Sequence, residues 1–174
     1  MFKVFLLFGV CAALALAGCS PVLDWREVRL KAEAMTLLFP CKPKSQSRTL
    51  ALGGRQVSMT LHACSAGDAA YAVSAADVGE PDRVAPALAQ MAEAARRNLG
   101  GSASPLAPLR IPGVMPQLQA QRLLMQGHLP DGSAVQEQVV VFSRGTHVYQ
   151  ASMIGAFLDA EVLETFFGSL RPGD

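Results

Sequence analysis

Residues 46–63, QSRTLALGGRQVSMTLHA, carry the strongest fold signal in this chain. At their centre, Gly53-Gly54 predicts a two-residue β-hairpin turn, because both glycines accept a positive φ. The hairpin joins predicted strands at 46–52 and 55–63. In the second strand polar and apolar residues alternate. The residues predicted to face a core are Val57, Met59, Leu61 and Ala63, and those predicted to face away are Gln56, Ser58, Thr60 and His62.

Outward from this hairpin, apolar runs between turn residues predict five further strands, at 34–39, 70–77, 118–128, 134–143 and 147–154. A helix is predicted over 82–99, and Gly100-Gly101 gives it a stop signal. A closing helix begins at Asp159, a favourable N-cap residue. Each helix has an apolar stripe that is predicted to be buried. In the first helix it consists of Val84, Leu88, Met91, Ala95 and Leu99, and in the closing helix of Val162, Leu163, Phe166, Phe167 and Leu170. Short turns between the strands favour an α+β fold, with a largely antiparallel sheet of about seven strands and two packed helices.

Two short motifs within 34–171 resemble the PsbP-like small envelope lipoproteins. The first predicted strand ends in Phe39-Pro40. The final helix ends in Phe-Phe-Gly-Ser-Leu-Arg at 166–171. The resemblance implies a PsbP-like α/β/α sandwich and a protein that binds or stabilises partners instead of catalysing a reaction.

The N-terminus has the pattern of an export signal. Lys3 precedes an uninterrupted apolar run of 14 residues from Val4 to Ala17, which is too short for a membrane-spanning helix of about 20 residues. Leu16-Ala17-Gly18-Cys19 then resembles the lipobox of bacterial lipoproteins. An ordinary signal cut after small residues such as Ala15 and Ala17 is the alternative. We favour the lipobox, because a free Cys19 would be an odd exposed thiol in an oxidising compartment.

The lipobox resemblance implies a lipid-attached protein. In that family the cysteine corresponding to Cys19 carries a diacylglyceryl group and an acylated amino terminus, and two acyl chains already give stable membrane attachment. Ser20 implies sorting to the outer membrane, with the protein facing the periplasm. The expected division is a signal peptide at 1–18, a membrane-proximal tether at 19–33 and one globular domain at 34–171. Trp25, in the tether, either lies at the lipid headgroups or packs on the domain, and we slightly favour packing.

Cys41 and Cys64 form an even pair in the expected mature chain, and disulfides persist in an oxidising compartment. If Leu52 pairs with Arg55 in the hairpin, Cys64 lies opposite Pro43. Cys41 is then one short turn away, within reach of a disulfide. A metal site that also uses His62 is the alternative, but two cysteines and one histidine match no recognised zinc spacing. The sequence therefore predicts a disulfide between Cys41 and Cys64.

The composition argues against several kinds of function. Loss of Lys3 with the signal would leave 14 basic residues against 14 acidic ones, without the clustered basic surface that nucleic-acid binding normally needs. No nucleophile elbow or phosphate-binding loop occurs. His62, His128 and His147 lie in or beside predicted strands without a recognisable catalytic partner. We therefore predict no catalytic, cofactor-binding or metal-binding residues and no cofactor.

Two features are candidates for partner binding. Residues 100–116 are predicted to form a long connection rich in Gly, Pro, Ser and Ala, and they carry apolar residues that either fold back over the sheet or contact a partner. Glutamines in the C-terminal strands could bind a peptide or glycan through hydrogen bonds from a polar sheet face; an exposed sheet face with few charges is the alternative. Glu137 lies mid-strand between two of these glutamines and could belong to a polar pocket, but such a residue more often lies on the solvent face. The expected partners are the lipid bilayer, through Cys19, and an envelope protein or peptide. A small envelope hydrolase is the alternative function. The apolar residues of the 100–116 connection are Leu106, Leu109, Ile111, Val114 and Met115. The glutamines are Gln117, Gln119, Gln121, Gln136, Gln138 and Gln150.

Overall fold

The computed structural model describes residues 22–114 and 120–173, which form ten strands, a 3₁₀ turn and two α-helices. The N-terminal signal segment, Cys19 and residues 115–119 lie outside the described residues. The strands are β1 Arg26–Leu30, β2 Met35–Phe39, β3 Lys44–Leu52, β4 Arg55–Ala66, β5 Ala69–Asp77, β6 Ser102–Leu109, β7 Ala120–His128, β8 Ala134–Arg144, β9 His147–Gly155 and β10 Arg171–Pro172. The 3₁₀ turn Pro81–Arg83 leads into α1 Val84–Asn98, and α2 is Ala160–Gly168.

A large sheet of seven strands forms the centre of the molecule, in the order β3-β4-β5-β9-β8-β7-β6, with every neighbouring pair antiparallel. The predicted hairpin register is confirmed, because Leu52 pairs with Arg55 and Lys44 pairs with Ala63. The turn glycines Gly53 and Gly54 have φ values of 59° and 81°. The α+β class with a largely antiparallel sheet is therefore the observed architecture.

A smaller sheet, in the order β1-β2-β10, packs on one face of the large sheet together with α2. Strand β1 falls inside the segment 19–33 that was expected to be only a tether, so ordered structure begins before the predicted domain boundary at 34. Trp25 is half-buried against Tyr71, with ring centroids 6.3 Å apart, which agrees with the favoured packing on the domain. Phe39, Phe142 and Phe166 are fully buried in this first core.

Helix α1 covers the other face of the large sheet and creates a second core. Of its predicted stripe, Val84, Met91 and Ala95 are buried, while Leu88 and Leu99 are half-buried. Since both faces of the sheet are covered, the expectation that His62 faces away from a core is wrong. His62 is half-buried, with its Nε2 atom 3.2 Å from an Oε1 atom of Glu33 in the β1–β2 turn.

The predicted long connection at 100–116 is wrong over residues 102–109, because Ser102–Leu109 is the edge strand β6. Pro105 and Pro108 made this stretch resemble a loop. Proline cannot donate a ladder hydrogen bond, so an edge strand tolerates it where an inner strand does not. Ile111 is buried in the first core, and Leu109 and Val114 pack against that core, as the fold-back alternative expected. Met115 lies outside the described residues.

Among the described residues, neither helix combines the length and the hydropathy that crossing a membrane requires.

Candidate functional site

The second face of the large sheet contains a cavity of about 530 Å³, because α1 crosses the sheet diagonally. The helix starts near the β3–β4 turn, where the carbonyl oxygen of Arg83 approaches Gly53, and ends near β7, where the carbonyl oxygen of Leu99 approaches Gly127. This path leaves one corner of the sheet face open beside the C-terminal half of the helix. The cavity occupies that corner, and its apolar walls are formed by Leu50, Met59, Leu61, Met91 and Ala95.

Leu61 is at the rim of this cavity and shows why the alternation predicted only part of the packing. It lies in β4 on the same predicted core-facing side as Val57, and Val57 is buried. It remains 41% exposed, because α1 does not reach over it. Its exposure is therefore a consequence of the helix crossing and leaves an apolar side chain accessible at the cavity.

The floor of the cavity is polar, which is unusual for a sheet face beneath a helix. Ser74 and Gln150 are cross-strand partners on β5 and β9, and Ser152 lies two residues further along β9. Ser74 and Ser152 are both buried, each with a relative exposure of 9%. Hydroxyl and amide groups at this depth can fix the orientation of a bound molecule through hydrogen bonds.

Glu137 is the one carboxylate among the residues that line the cavity. It is 8% exposed, on β8 near the start of the strand. Burial raises the pKa of Glu137, and a hydrogen bond from the Ser152 hydroxyl opposes that shift. A carboxyl group in this setting carries a proton more readily than an exposed one, so it can both accept and donate a hydrogen bond.

Two arginines give the open side of the cavity a positive character. Arg48 is exposed on β3, and Arg97 is exposed near the end of α1. The Nη1 atom of Arg97 lies 3.7 Å from Glu93 on the same helix, so its charge is partly offset. The site thus combines a buried acid at the floor, apolar walls and cations at the entrance.

The histidines lie elsewhere, as the residues lining the cavity include none of them. His128 is exposed at the end of β7, and His147 is half-buried with its ring 6.3 Å from that of Tyr149. Burial raises the pKa of Tyr149 to about 12, and its hydroxyl donates to the backbone oxygen of Glu33. Within residues 22–114 and 120–173, no three side chains of the metal-binding types come together.

The predicted disulfide between Cys41 and Cys64 is present, with Cα atoms 6.1 Å apart. It joins the residues after β2 in the small sheet to β4 in the large sheet, so it links the two sheets covalently. Cys19, the predicted lipid attachment site, lies outside the described residues and keeps the status of a prediction.

The glutamines do not form the continuous polar face that their spacing suggested. Gln138 is buried on the face that carries the first core, where its Oε1 atom accepts a hydrogen bond from Arg122. Gln150 is on the opposite face and lines the cavity. Of this group, Gln117 and Gln119 lie outside the described residues.

Sequence reasoning suggested a polar pocket for Glu137 but favoured a solvent-facing position, and it did not identify Ser74 or Ser152. The available signal was the interruption of apolar alternation by polar residues in β5 and β9. That pattern is also typical of an exposed face, so only the position of α1 reveals the cavity.

Comparisons with known proteins do not show a family for this chain. No family model matches, and no curated protein matches. Among solved structures, the chain is similar to PA94, a protein of unknown function from Pseudomonas aeruginosa. The two share 17% identity with a TM-score of 0.35, over 75% of this chain and 82% of that one. A likeness at this level carries no statement about function.

Proposed function

We propose that this protein is a lipid-anchored, periplasm-facing lipoprotein of the bacterial outer membrane that binds a partner without catalysing a reaction. Lipid attachment at Cys19 is supported by the lipobox-like sequence, and the disulfide fits an oxidising compartment. The observation that carries the binding function is the cavity beside the C-terminal half of α1, with the buried Glu137 at its floor.

The size of the cavity suits binding. Its volume falls within the range of about 300–1,000 Å³ found for ligand sites, and polar and apolar residues line it in about equal number. A bound group with an apolar body could contact Met59 and Met91. A hydroxyl or amine at its tip would find hydrogen-bond partners in Glu137 and Ser152.

The position of β3 favours a peptide as the partner. This strand forms one edge of the large sheet, and its residues Gln46, Arg48 and Leu50 form one side of the cavity. An extended peptide can add to such an edge through backbone hydrogen bonds while its side chains enter neighbouring pockets. The opposite edge, β6, is less suited to strand addition, because it contains Pro105 and Pro108 and a register shift.

Photo-crosslinking from two positions on α1 tests this proposal in intact cells. A photoreactive amino acid at Ala94, which lines the cavity, should capture a discrete envelope protein or peptide. The same residue at Ala89, exposed on the same helix but outside the cavity lining, is the matched control. Ser152→Leu, which fills the floor, should abolish capture at Ala94. Equal capture from both positions, or capture that survives Ser152→Leu, would show that the cavity is not the binding site.

The contact between Ser152 and Glu137 supports a second candidate, a small envelope hydrolase with a serine nucleophile. Serine catalysis normally requires a base that removes the hydroxyl proton, and a carboxylate is one such base. A fluorophosphonate reagent distinguishes the two functions. If the reagent labels Ser152 in the wild type and not in Glu137→Gln, the hydrolase is favoured. A protein that stays unlabelled agrees with a binding role.

The finer fold assignment, a PsbP-like α/β/α sandwich, belongs to the same proposal. It is supported by the layer order, with α1 on one face of the large sheet and α2 with the small sheet on the other.

A further inference from the structure

One end of the large sheet combines exposed apolar side chains with the entry of the N-terminal chain. Three connections meet there, and we call them together the tether end: the β4–β5 turn at 66–69, the β9–α2 loop at 156–159 and the β7–β8 turn at 129–133. Strand pairing places them side by side, since Ala69 pairs with Gly155 and Gly155 pairs with Gln136. The sheet order puts the outer two turns about three strand spacings apart, roughly 14 Å.

Each of these connections carries or contacts an exposed large apolar residue. Phe157 is 74% exposed in the β9–α2 loop, and Leu129 is 38% exposed in the β7–β8 turn. Val22 is 73% exposed. It lies beside the β4–β5 turn, since a Cβ atom built on Gly67 would be 3.3 Å from the Cγ1 atom of Val22. Among the described residues, the only other large hydrophobic side chain with comparable exposure is Leu61, at the cavity.

The length of chain before Val22 connects this end to the predicted anchor. Only Ser20 and Pro21 lie between Cys19 and Val22. Three residue steps reach at most about 11 Å, even when fully extended. A lipid on Cys19 would therefore hold Val22, and with it the tether end, close to the membrane surface.

We propose that the tether end is a membrane-contacting surface, on which Val22, Phe157 and Leu129 rest in the interfacial region of the bilayer. This inference relies on lipid attachment at Cys19 from the proposed function and adds a fixed orientation of the domain. An exposed phenylalanine costs free energy in water, and the interface of a bilayer is an environment that accepts it.

The charges at this end indicate that the contact is apolar. Asp68, Asp131 and Asp159 lie in the same three connections, and Lys42 and Lys44 lie beside them at the start of β3. A surface with both signs gains little from an anionic membrane. Contact should therefore form on zwitterionic lipid and should not need acidic lipid.

The test attaches the mature chain, residues 19–174, chemically through the Cys19 thiol to maleimide-phosphatidylethanolamine in phosphatidylcholine vesicles. Within residues 19–174 the other two cysteines, Cys41 and Cys64, form the disulfide, so Cys19 is the reactive thiol. Chemical attachment makes the result independent of whether cells acylate Cys19. Failure of the orientation is thus distinguishable from failure of the lipoprotein assignment, which mass spectrometry of the cellular protein tests separately.

The reporter is a tryptophan placed by Phe157→Trp in a Trp25→Phe background, with brominated acyl chains in the vesicles as a quencher. Its fluorescence should fall at least twofold. The matched control is Gln56→Trp, exposed near the other end of β4, ten residues and about 33 Å along the strand from Ala66. The control should change little. Equal quenching at both positions, or none at position 157, would overturn the proposal.

A second measurement uses the protein without a tryptophan change, in case Trp25→Phe weakens packing on Tyr71. Amide hydrogen exchange in the attached protein should slow at 66–69 and 156–159 relative to the free protein, while the β8–β9 turn at the other end stays unchanged. Phe157→Ser should remove much of this protection. Identical exchange in the attached and free proteins would contradict membrane contact.

Discussion

At the residue scale, Glu137 gives the stability of this protein a defined pH dependence. Burial raises the pKa of Glu137 in the folded protein above its value in the unfolded chain. Folding then favours the protonated carboxyl. Its contribution to stability is fully present below the unfolded pKa and is lost as the pH rises through the folded pKa. The buried acid at the cavity floor is therefore a position where stability is reduced at neutral pH, as is common at binding sites.

We expect Glu137→Gln to increase the free energy of unfolding at pH 7, because the amide avoids burial of a charge and can still accept from Ser152. The advantage should shrink as the pH falls to 4, where the wild-type carboxyl is protonated. Urea unfolding between pH 4 and pH 8 measures both effects. Glu164→Gln, on the exposed part of α2, is the control and should keep the wild-type pH profile. An advantage that is constant across this pH range would contradict the assignment.

The disulfide is the second residue-scale determinant of stability. Cys41 and Cys64 are separated by 23 positions, and closing a loop of this size restricts the unfolded chain. The double variant Cys41→Ser, Cys64→Ser should lose about 3 kcal/mol of unfolding free energy. Chemical denaturation measures the loss, and a reducing agent should weaken the wild type by a similar amount. Reducing agent should not affect the variant, and a variant as stable as the wild type would refute the prediction.

At the element scale, α2 depends on a side-chain cap that the sequence predicted correctly. The Oδ1 atom of Asp159 accepts hydrogen bonds from the backbone nitrogens of Glu161 at 2.9 Å and Val162 at 3.0 Å. These bonds satisfy two N–H groups that the helix itself cannot pair. The cap fixes the start of the helix that carries Phe166 and Phe167 into the first core.

Asp159→Ala should lower the free energy of unfolding by about 1 kcal/mol, because both amide donors lose their acceptor. Thermal and urea unfolding can measure this change. Asp159→Asn, which retains a side-chain oxygen, should lose much less and serves as the control. Equal losses in the two variants would indicate that charge, and not the hydrogen bonds, stabilises this helix.

The elements that could be predicted are those whose periodicity and turn residues agree. Strand β4 has an apolar alternation and is joined to β3 by the turn residues Gly53-Gly54, and α1 has an apolar stripe with a glycine stop. Strand β6 could not be recognised, because its two prolines are typical of loops and are tolerated only where a strand lies at an edge. Strand β1, with Arg26, Glu27 and Arg29 among its five residues, has little apolar pattern to detect.

The candidate site was less predictable than the fold for a physical reason. Burial of Glu137 depends on where α1 crosses the sheet, and the crossing is set by packing between distant segments. Local alternation shows which residues share a face, such as Ser74 with Ala76, but it does not show which part of that face a helix covers. The disulfide was predictable because it follows from hairpin register and cysteine number.

At the scale of the whole molecule, we expect membrane attachment and folding to be independent, because the predicted anchor at Cys19 precedes the three packed layers in the chain. Residues 22–114 and 120–173, which the structure describes, supply two cores without needing the predicted anchor residue. Loss of the lipid should therefore leave the fold intact and change only where the protein is found.

Cys19→Ala should produce a precursor that is uncleaved or mislocalised, because the lipobox-like sequence then lacks its acceptor cysteine. Mass spectrometry of the wild-type N-terminus should find an acylated Cys19, and fractionation should find the wild type with membranes. Ser20→Ala is a neighbouring control that keeps the cysteine. A wild-type N-terminus that is unmodified, or that begins at another residue, would refute the lipoprotein assignment.

Among the described strands, β1 pairs with β2 alone, and this arrangement has a mechanical consequence. Arg26 pairs with Phe39 at the open end of this hairpin, and Cys41 lies just beyond it, bonded to the large sheet. A force on the N-terminus would therefore separate β1 from β2 one residue pair at a time. This sequential separation needs less force than shearing all pairs simultaneously. Release of residues 26–34 would lengthen the extended chain between the anchor and the domain by about 30 Å. Because the disulfide transmits the remaining tension to the large sheet, the α1 cavity would keep its shape while the protein extends.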